Sequence, residues 1–548
     1  MLNDLKFKTT PIRWLSFTNK SLQQAKIENK PIFLLITSID SFWSDRMQKE
    51  ISENQKVIEL LNEKFICIKV DKYKRPDIER YFQRVHYLLN RRYGGLPLSI
   101  FFTENLEPFY AGAYIAPKAM KELLGFEELL HVISKKYTTD YETLTQKGQE
   151  VLEFINPKEE TIQATKLQLT ITKTIKSQIK LLLDKEYGGF TKAPKFPNIT
   201  TLELILDTYQ LEKDKELLDS VELTLTNMAK GGFYDLENGG FYSYAKDREW
   251  RVAHEVKTTY NNATLANLYL RAYSITKKSS YKDIALKTIE YMMSQQKASK
   301  LFAIEEEITT VTTNAMMIRT LIKASTIDKK YLTYAIETLE ATLSNFYIDG
   351  VLYHTLSKDK KEKIKAFLED YTQLGETLIE VYQYTLDESF LIMATQFTNL
   401  IIEHYYQQAN WFFSTNEFKI KETIHDYETP SSVASALSLL LSISSLVDIN
   451  YKKFVFKTLE LHSYNLMRQP LSSPKLSQIL LRYLKDDIII KANSNLLEKE
   501  IDKRETICYP YILFKNSTEE HFQLCNSNSC FAKENSFEEV KSYIESNL

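Results

Sequence analysis

Two serines, Ser41 and Ser44, stand three residues apart just after an apolar run at 31–37, where a helix over 45–52 is about to begin. The run reads as a buried strand. At such a helix start, unpaired amides and the helix dipole lower the pKa of a nucleophile, which is how a reactive thiol pair is made. Hydroxyls there supply no stable thiolate at neutral pH, so dithiol exchange at Ser41 and Ser44 is excluded. Trp43 lies between them, and further on Gly94-Gly-Leu-Pro97 enters a second apolar strand at 98–102. Leu96-Pro97 is a candidate cis peptide, equally readable as an ordinary turn proline.

The remaining residues with chemical potential are carboxylates, histidines and aromatics. Glycan hydrolysis needs two carboxylates about 5 to 10 Å apart across a bond. Epimerisation needs an acid and a base near neutral pKa, often histidines. His254, Glu255, His354, Asp370 and Asp426 are the catalytic candidates, with Asp247 and His425 of similar type. No two of them have a spacing that singles out an acid and a base. Phe233, Tyr234, Phe241, Tyr242, Tyr244 and Trp250 suit a pocket that stacks on a flat ligand face, or core packing alone. Asp235, Tyr260, Asn261, Asn262, Asn314 and Tyr371 join them as candidate substrate contacts. His254 equally suits a hydrogen-bonded structural role, and Asp370 a helix cap.

The eight histidines form no His-x-x-x-His set and the four cysteines no Cys-x-x-Cys, so neither a metal nor a cofactor is expected. Cys525 and Cys530, five apart in a strand-turn segment, read by default as an inert reduced pair, with a reversible disulfide or thiol pair as the alternative. Cys67 alternates with apolar neighbours and reads as core.

The elements that must position these groups change character along the chain. Helix and strand alternate over 1–150, which suits a small mixed sheet with helices on both faces. Over 151–485 the period is helical, with amphipathic stretches near 160–184, 199–211, 213–230, 254–276, 279–296, 309–326, 328–345, 364–385, 388–407, 430–446, 450–468 and 471–484. Short connectors make neighbours antiparallel, and twelve such helices predict a closed (α/α)6 barrel; an open solenoid would show a fixed repeat. Residues 486–548 read as a small α/β appendage. Eight of the 13 glycines fall in four Gly-Gly pairs, three of which open Gly-Gly-Phe, marking constrained loops at one end of the bundle.

Net charge is −2 with acids and bases balanced, so nothing points to nucleic acid. No apolar stretch approaches the roughly 20 residues of a membrane span, and no secretory signal is evident. The expectation is a soluble, cytoplasmic protein.

Several segments, in order, resemble the spermatogenesis-associated protein 20-like family, which fuses a thioredoxin-like domain to a six-hairpin glycosidase-like barrel. They include Trp14, Ala25-Lys-Ile-Glu-Asn-Lys-Pro31, Ser41-Phe-Trp-Ser-Asp-Arg-Met47, Lys69-Val-Asp71 and Gly94-Gly-Leu-Pro-Leu98. They continue through Ala193-Pro-Lys-Phe-Pro197, Gly231-Gly-Phe-Tyr-Asp235, Gly239-Gly-Phe-Tyr-Ser-Tyr244, Tyr260-Asn-Asn-Ala263 and Ala366-Phe-Leu-Glu-Asp-Tyr371. The resemblance implies a carbohydrate-binding or carbohydrate-modifying barrel, with a small carbohydrate as ligand. This chain departs from the pattern where it matters chemically. The family's two turn cysteines are Ser41 and Ser44, its His-Phe-Glu-Lys element is His254-Glu-Val-Lys257, and the aspartate of its Tyr-Asp-Asn-Ala stretch is Asn261. An acidic loop is missing near 302–307, and a Trp-Asn-Gly element is reduced to Thr313-Asn-Ala315. The departures favour an alternative: a non-catalytic binding protein that uses the thioredoxin-like groove around Trp43 and Pro97 for a protein partner.

Overall fold

The computed structural model describes residues 12–120, 123–156, 163–304, 308–356, 363–427 and 429–547. Of the stretch 302–307, where the sequence lacks an acidic loop, residues 305–307 lie outside them. The chain divides into two units, Met1–Glu160 with Asn416–Ile420, and Thr161–Thr415 with Lys421–Leu548.

In the first unit, β1 (Ile32–Thr37), β2 (Ile66–Asp71), β3 (Leu98–Phe102) and β4 (Pro108–Gly112) form a sheet in the order β2-β1-β3-β4. β1 pairs parallel with β2 and antiparallel with β3, and β3 antiparallel with β4. Every residue of β1 and β3 is buried, because both sheet faces are covered. The helices are α1 (Asn19–Glu28), α2 (Phe42–Glu53), α3 (Gln55–Lys64), α4 (Pro76–Asn90), α5 (Phe126–Thr139) and α6 (Tyr141–Glu153). Phe33, Leu35 and Phe101 anchor the core on one face, and Leu34, Ile36 and Ile100 that on the other. Phe418, from the Asn416–Ile420 segment, sets its ring edge-on to Phe17 at 5.0 Å.

The second unit is built from α7 (Ile171–Leu182), α8 (Ile199–Glu212), α9 (Lys215–Lys230), α10 (Thr259–Thr276), α11 (Ser279–Ser294), α12 (Val311–Ala324) and α13 (Lys330–Phe346). It continues with α14 (Leu368–Thr385), α15 (Glu388–Tyr405), α16 (Ser432–Leu446), α17 (Lys452–Leu461), α18 (Ser463–Arg468) and α19 (Pro474–Lys485). Helices α8, α10, α12, α14, α16 and α19 each pack on the next, and α19 returns to α8, so the inner ring is closed. α9, α11, α13, α15 and α17 pair with inner helices from outside, and α7 completes the outer layer beside α18. This is the expected (α/α)6 barrel. Burial follows the layers: α12 and α16 bury nearly every residue, whereas α11 buries one stripe, Tyr281, Ala285, Thr288, Ile289 and Met292.

Some ends differ from the periodicity. The helix expected over 254–276 starts only at Thr259, because the Thr258 hydroxyl caps it by accepting the Asn261 amide. The stretch expected over 450–468 breaks at His462 into α17 and α18. The last four strands order as Ile512–Asn516, Ile488–Ala492, Phe522–Cys525 and Cys530–Glu534. They meet the C-terminal ends of the inner helices: Gln383 of α14 accepts from the Phe514 amide at 2.6 Å and donates to its carbonyl at 3.0 Å. No helix of the described residues is long and apolar enough to cross a membrane.

Candidate functional site

Ser41 is the N-cap of α2: its Oγ accepts from the Ser44 amide at 3.2 Å and donates to the Leu96 carbonyl at 2.8 Å. Leu96-Pro97 is cis, and the Ser41–Leu96 bond joins the Ser-x-x-Ser turn to the proline turn, as the thioredoxin-like reading requires. Ser44 is fully buried, and its Oγ accepts from the Ser38 amide at 3.3 Å. Both hydroxyls are thus committed to holding the turn. Phe42 and Trp43 remain 61% and 46% exposed beside it, with Trp43 packed against Tyr114 at 4.8 Å.

In the barrel, two of the Gly-Gly-Phe bends are copies of one device. Asp184-x-x-x-Gly188-Gly-Phe and Asp235-x-x-x-Gly239-Gly-Phe each close a turn in which the aspartate accepts the amides two and three residues on. All four glycines adopt positive φ, between 67° and 84°. A side chain at Gly188 would also lie 2.5 Å from the Thr224 backbone. Each turn closes on a lysine. Lys195 Nζ donates to Asp184 at 2.9 Å and the Gly188 carbonyl at 2.5 Å; Lys257 Nζ donates to Asp235 and the Gly239 carbonyl, both at 2.7 Å. Burial alone would raise the Asp235 carboxyl, but the Asn238 amide and Lys257 outweigh it and hold it well below the usual range. Arg248 and Lys195 do the same for Asp184. Lys195 and Lys257 were not among the candidate site residues, although each follows its Gly-Gly pair.

The aromatic and amide candidates belong to the wall. Phe233, Tyr234, Phe241 and Trp250 are buried and packed on one another, with Phe233 and Trp250 rings 5.2 Å apart. The backbones of Tyr234 and Phe241 bridge, which turns both side chains into the core. Asn262 Oδ1 accepts from the Phe241 amide at 2.6 Å, while its Nδ2 donates to the Phe241 and Thr258 carbonyls. Asn314 repeats every contact with Phe302 and Thr310. Asp235 and Tyr242 are held by Lys257, whose Nζ lies 5.1 Å from the Tyr242 ring centre. Tyr244, Tyr260, Asn261 and Tyr371 are half-buried, and Asn261 donates to the Ser243 carbonyl at 3.3 Å.

The catalytic candidates do not converge on one point. Asp370, fully buried in the first turn of α14, accepts from the Phe367 amide, the Thr312 hydroxyl and His354 Nδ1, each at 2.9 Å. His354 is itself buried. Asp426 accepts the amides of Ser431 and Lys475 at 2.8 and 2.9 Å, tying together the starts of α16 and α19. Burial raises its carboxyl above the usual value, partly offset by those amides. His425 Nδ1 lies 2.9 Å from the Ser472 carbonyl. His254 stacks on Tyr244 at 4.8 Å, Glu255 is exposed, and Asp247 closes its own turn on the Glu249 amide.

What the inner ring encloses is a cavity of about 320 Å³, floored by the segment around Arg504, Tyr509 and Leu513. Its walls are charged. Arg271 pairs with Asp207, Arg319 with Glu376, Lys323 with Glu505, Arg482 with Asp487, and Arg504 with Glu380. Arg319 also binds Gln373, and Arg271 binds Gln210. None of these lining residues was singled out from the sequence. Their signal is charge repeated at i and i+4 on inner helices, as in Glu203/Asp207, Arg319/Lys323 and Glu376/Glu380, which on a lone helix reads as a solvated face.

Cys525 and Cys530 form a disulfide between the paired strands Phe522–Cys525 and Cys530–Glu534, in place of the inert reduced pair. Cys67 is buried in β2, where burial pushes its thiol up to about 12. Cys508 Sγ receives the Lys213 ammonium at 2.8 Å. Among the described residues no cluster of three or more His, Cys, Asp or Glu is arranged to hold a metal.

A family model described as a thioredoxin-like DsbH protein of unknown function, DUF255, matches residues 4–156. Human spermatogenesis-associated protein 20 is 31% identical over 297 residues, 53% of this chain and 38% of that protein. The mouse protein of the same name is 30% identical over 296 residues, 53% of this chain and 37% of its own length. Over about half its length the chain is similar to the spermatogenesis-associated protein 20 proteins. It matches less than two fifths of the length of these relatives. An uncharacterised Caenorhabditis elegans protein, B0495.5, is 30% identical over 278 residues, 50% of this chain and 38% of its own. Among solved structures, a sugar epimerase from a ruminal bacterium aligns with TM-score 0.46 and 15% identity, covering 54% of this chain and 86% of its own. The GH76 alpha-mannanase BT2949 of Bacteroides thetaiotaomicron aligns with TM-score 0.43 and 15% identity, covering 57% and 94%. This chain has the cis-proline turn and the Gly-Gly-Phe bends, with serines at positions 41 and 44.

Proposed function

We propose that this protein binds a small carbohydrate in the axial cavity of its barrel, and that its thioredoxin-like unit carries out no thiol exchange. The observation that supports this is the cavity itself: about 320 Å³ inside a closed ring, walled by guanidinium donors and carboxylate acceptors together. Each sugar hydroxyl both donates and accepts, so a polyol matches such a wall, whereas an apolar ligand would strand its charges. The size lies at the small end of ligand pockets. The reading is of binding. The carboxylates Asp207, Glu376 and Asp487 are each tied to an arginine, and Asp370 to His354. A thermal-shift screen of neutral sugars, amino sugars and uronic acids should find ligands that raise the melting temperature of wild type and not of Arg319→Gln. No shift with any of them would overturn the reading.

A second reading rests on Phe42 and Trp43, which stay exposed next to Ser41 and the Leu96-Pro97 turn. It makes the thioredoxin-like unit a binding module for a protein segment. Comparing pull-downs by wild type and Trp43→Ala tests it: a partner list indifferent to Trp43 would count against it.

A further inference from the structure

The charges that line the cavity balance, which disfavours one class of ligand. Six carboxylates and six lysine or arginine side chains line it, so its formal charge is zero. A polyanion such as a nucleotide or a multiply phosphorylated sugar would meet as many carboxylates as cations there, with no net attraction.

Ten of those twelve charges are used up in five ion pairs, some between inner helices and some from them to the segment that follows α19. The other two are Glu203, in the second turn of α8, and Lys475, in the first turn of α19. These two helices pack against each other where the ring closes. Among the described residues neither the Glu203 carboxylate nor the Lys475 ammonium has an ion-pair partner, and both side chains are half-buried. Both charges bear on Asp207, one helical turn along α8 from Glu203, so they border one stretch of wall. Asp207 itself is occupied by Arg271.

Building on the carbohydrate reading above, we propose that the ligand is a zwitterionic sugar. Its ammonium pairs with Glu203, its carboxylate pairs with Lys475, and its hydroxyls meet the saturated wall beyond. Two charge-assisted contacts of opposite sign at one stretch of wall reject a neutral sugar and a singly charged one together.

Isothermal titration calorimetry on the full chain tests this with four probes: muramic acid (zwitterion), glucosamine (cation), glucuronic acid (anion) and glucose (neutral). Muramic acid should bind at least tenfold more tightly than either singly charged sugar. Glu203→Gln should reduce its affinity to that of glucuronic acid and leave glucuronic acid unchanged. Lys475→Met should reduce it to that of glucosamine and leave glucosamine unchanged. Far-UV circular dichroism should be unaltered in both variants, since neither side chain holds an ion pair. If glucose binds as well as muramic acid, or neither variant changes the ranking, the inference fails while the carbohydrate reading stands. If none of the four binds, both fail.

Discussion

The Ser41 hydroxyl donates to the carbonyl oxygen of Leu96 at 2.8 Å, bridging the start of α2 to the cis Leu96-Pro97 turn. The bond occupies the place where a redox site of this architecture would put its attacking sulfur. A hydroxyl used this way is a fastener.

The thiol inventory follows. Denatured without reductant, the protein should titrate with two free thiols, Cys67 and Cys508, and after reduction with four. Wild type should not reduce insulin. Ser41→Cys/Ser44→Cys should add a second disulfide, leaving the unreduced count at two and restoring measurable insulin reduction. An active wild type would show that the Cys525–Cys530 pair is the working dithiol.

The two lysine-closed turns differ in one respect that separates their energetics. Asp184 is paired to both Lys195 and Arg248, whereas Lys257 is the one cation paired to Asp235 among the described residues. Lys257→Met therefore leaves a largely buried carboxylate without its cation and should cost about 3 kcal/mol. Lys195→Met leaves Asp184 on Arg248 and should cost about 1 kcal/mol, mainly for the lost bond to the Gly188 carbonyl. Urea unfolding of the two variants side by side checks the order; equal losses would contradict it.

The ring was legible because each helix carries its own period, and the Ser41–Pro97 meeting because a strand, a turn and a proline stand in order. The cavity was not, because closure alone decides which face of α8 or α14 is inside. Arg319 and Glu376, on neighbouring inner helices, look like ordinary surface charges until α12 and α14 are brought together. Which of the two readings open for the aromatics, pocket or core, holds at Phe233 and Phe241 is likewise decided by the fold. Phe233 and Phe241 follow glycine pairs that fold the loop back, so the side chains that looked poised over a pocket point into the wall.

Asn262 and Asn314 have the same three contacts each, on Phe241 with Thr258 and on Phe302 with Thr310. Both are fully buried. Three buried hydrogen bonds at about 1 kcal/mol each predict a loss of about 3 kcal/mol for either alanine variant. The two losses should agree within about 1 kcal/mol. If these residues instead served a ligand, the variants would keep their stability, which equilibrium unfolding would show at once.

The cavity's ion pairs also give the barrel a defined acid limit. Burial would raise the Glu505 carboxyl, but Lys323 and Arg504 outweigh it and hold it at about 2. Its unfolded value is near the ordinary glutamate range of about 4.3. A folded pKa below the unfolded one means that the stabilisation is complete above about pH 4.3 and is lost as pH falls toward 2. Asp184 and Asp235, both held below the usual range, act in the same direction over the same acid limb. The midpoint of urea unfolding should therefore decline from about pH 4 downward. Glu505→Gln should lower the midpoint at neutral pH, because Lys323 and Arg504 lose a carboxylate, and should flatten the decline, because one of the protonating groups is gone. A variant that shifted the whole curve down without changing its acid slope would show that Glu505 is protonated alike in the folded and unfolded chains, and that its ion pairs do not hold the cavity floor.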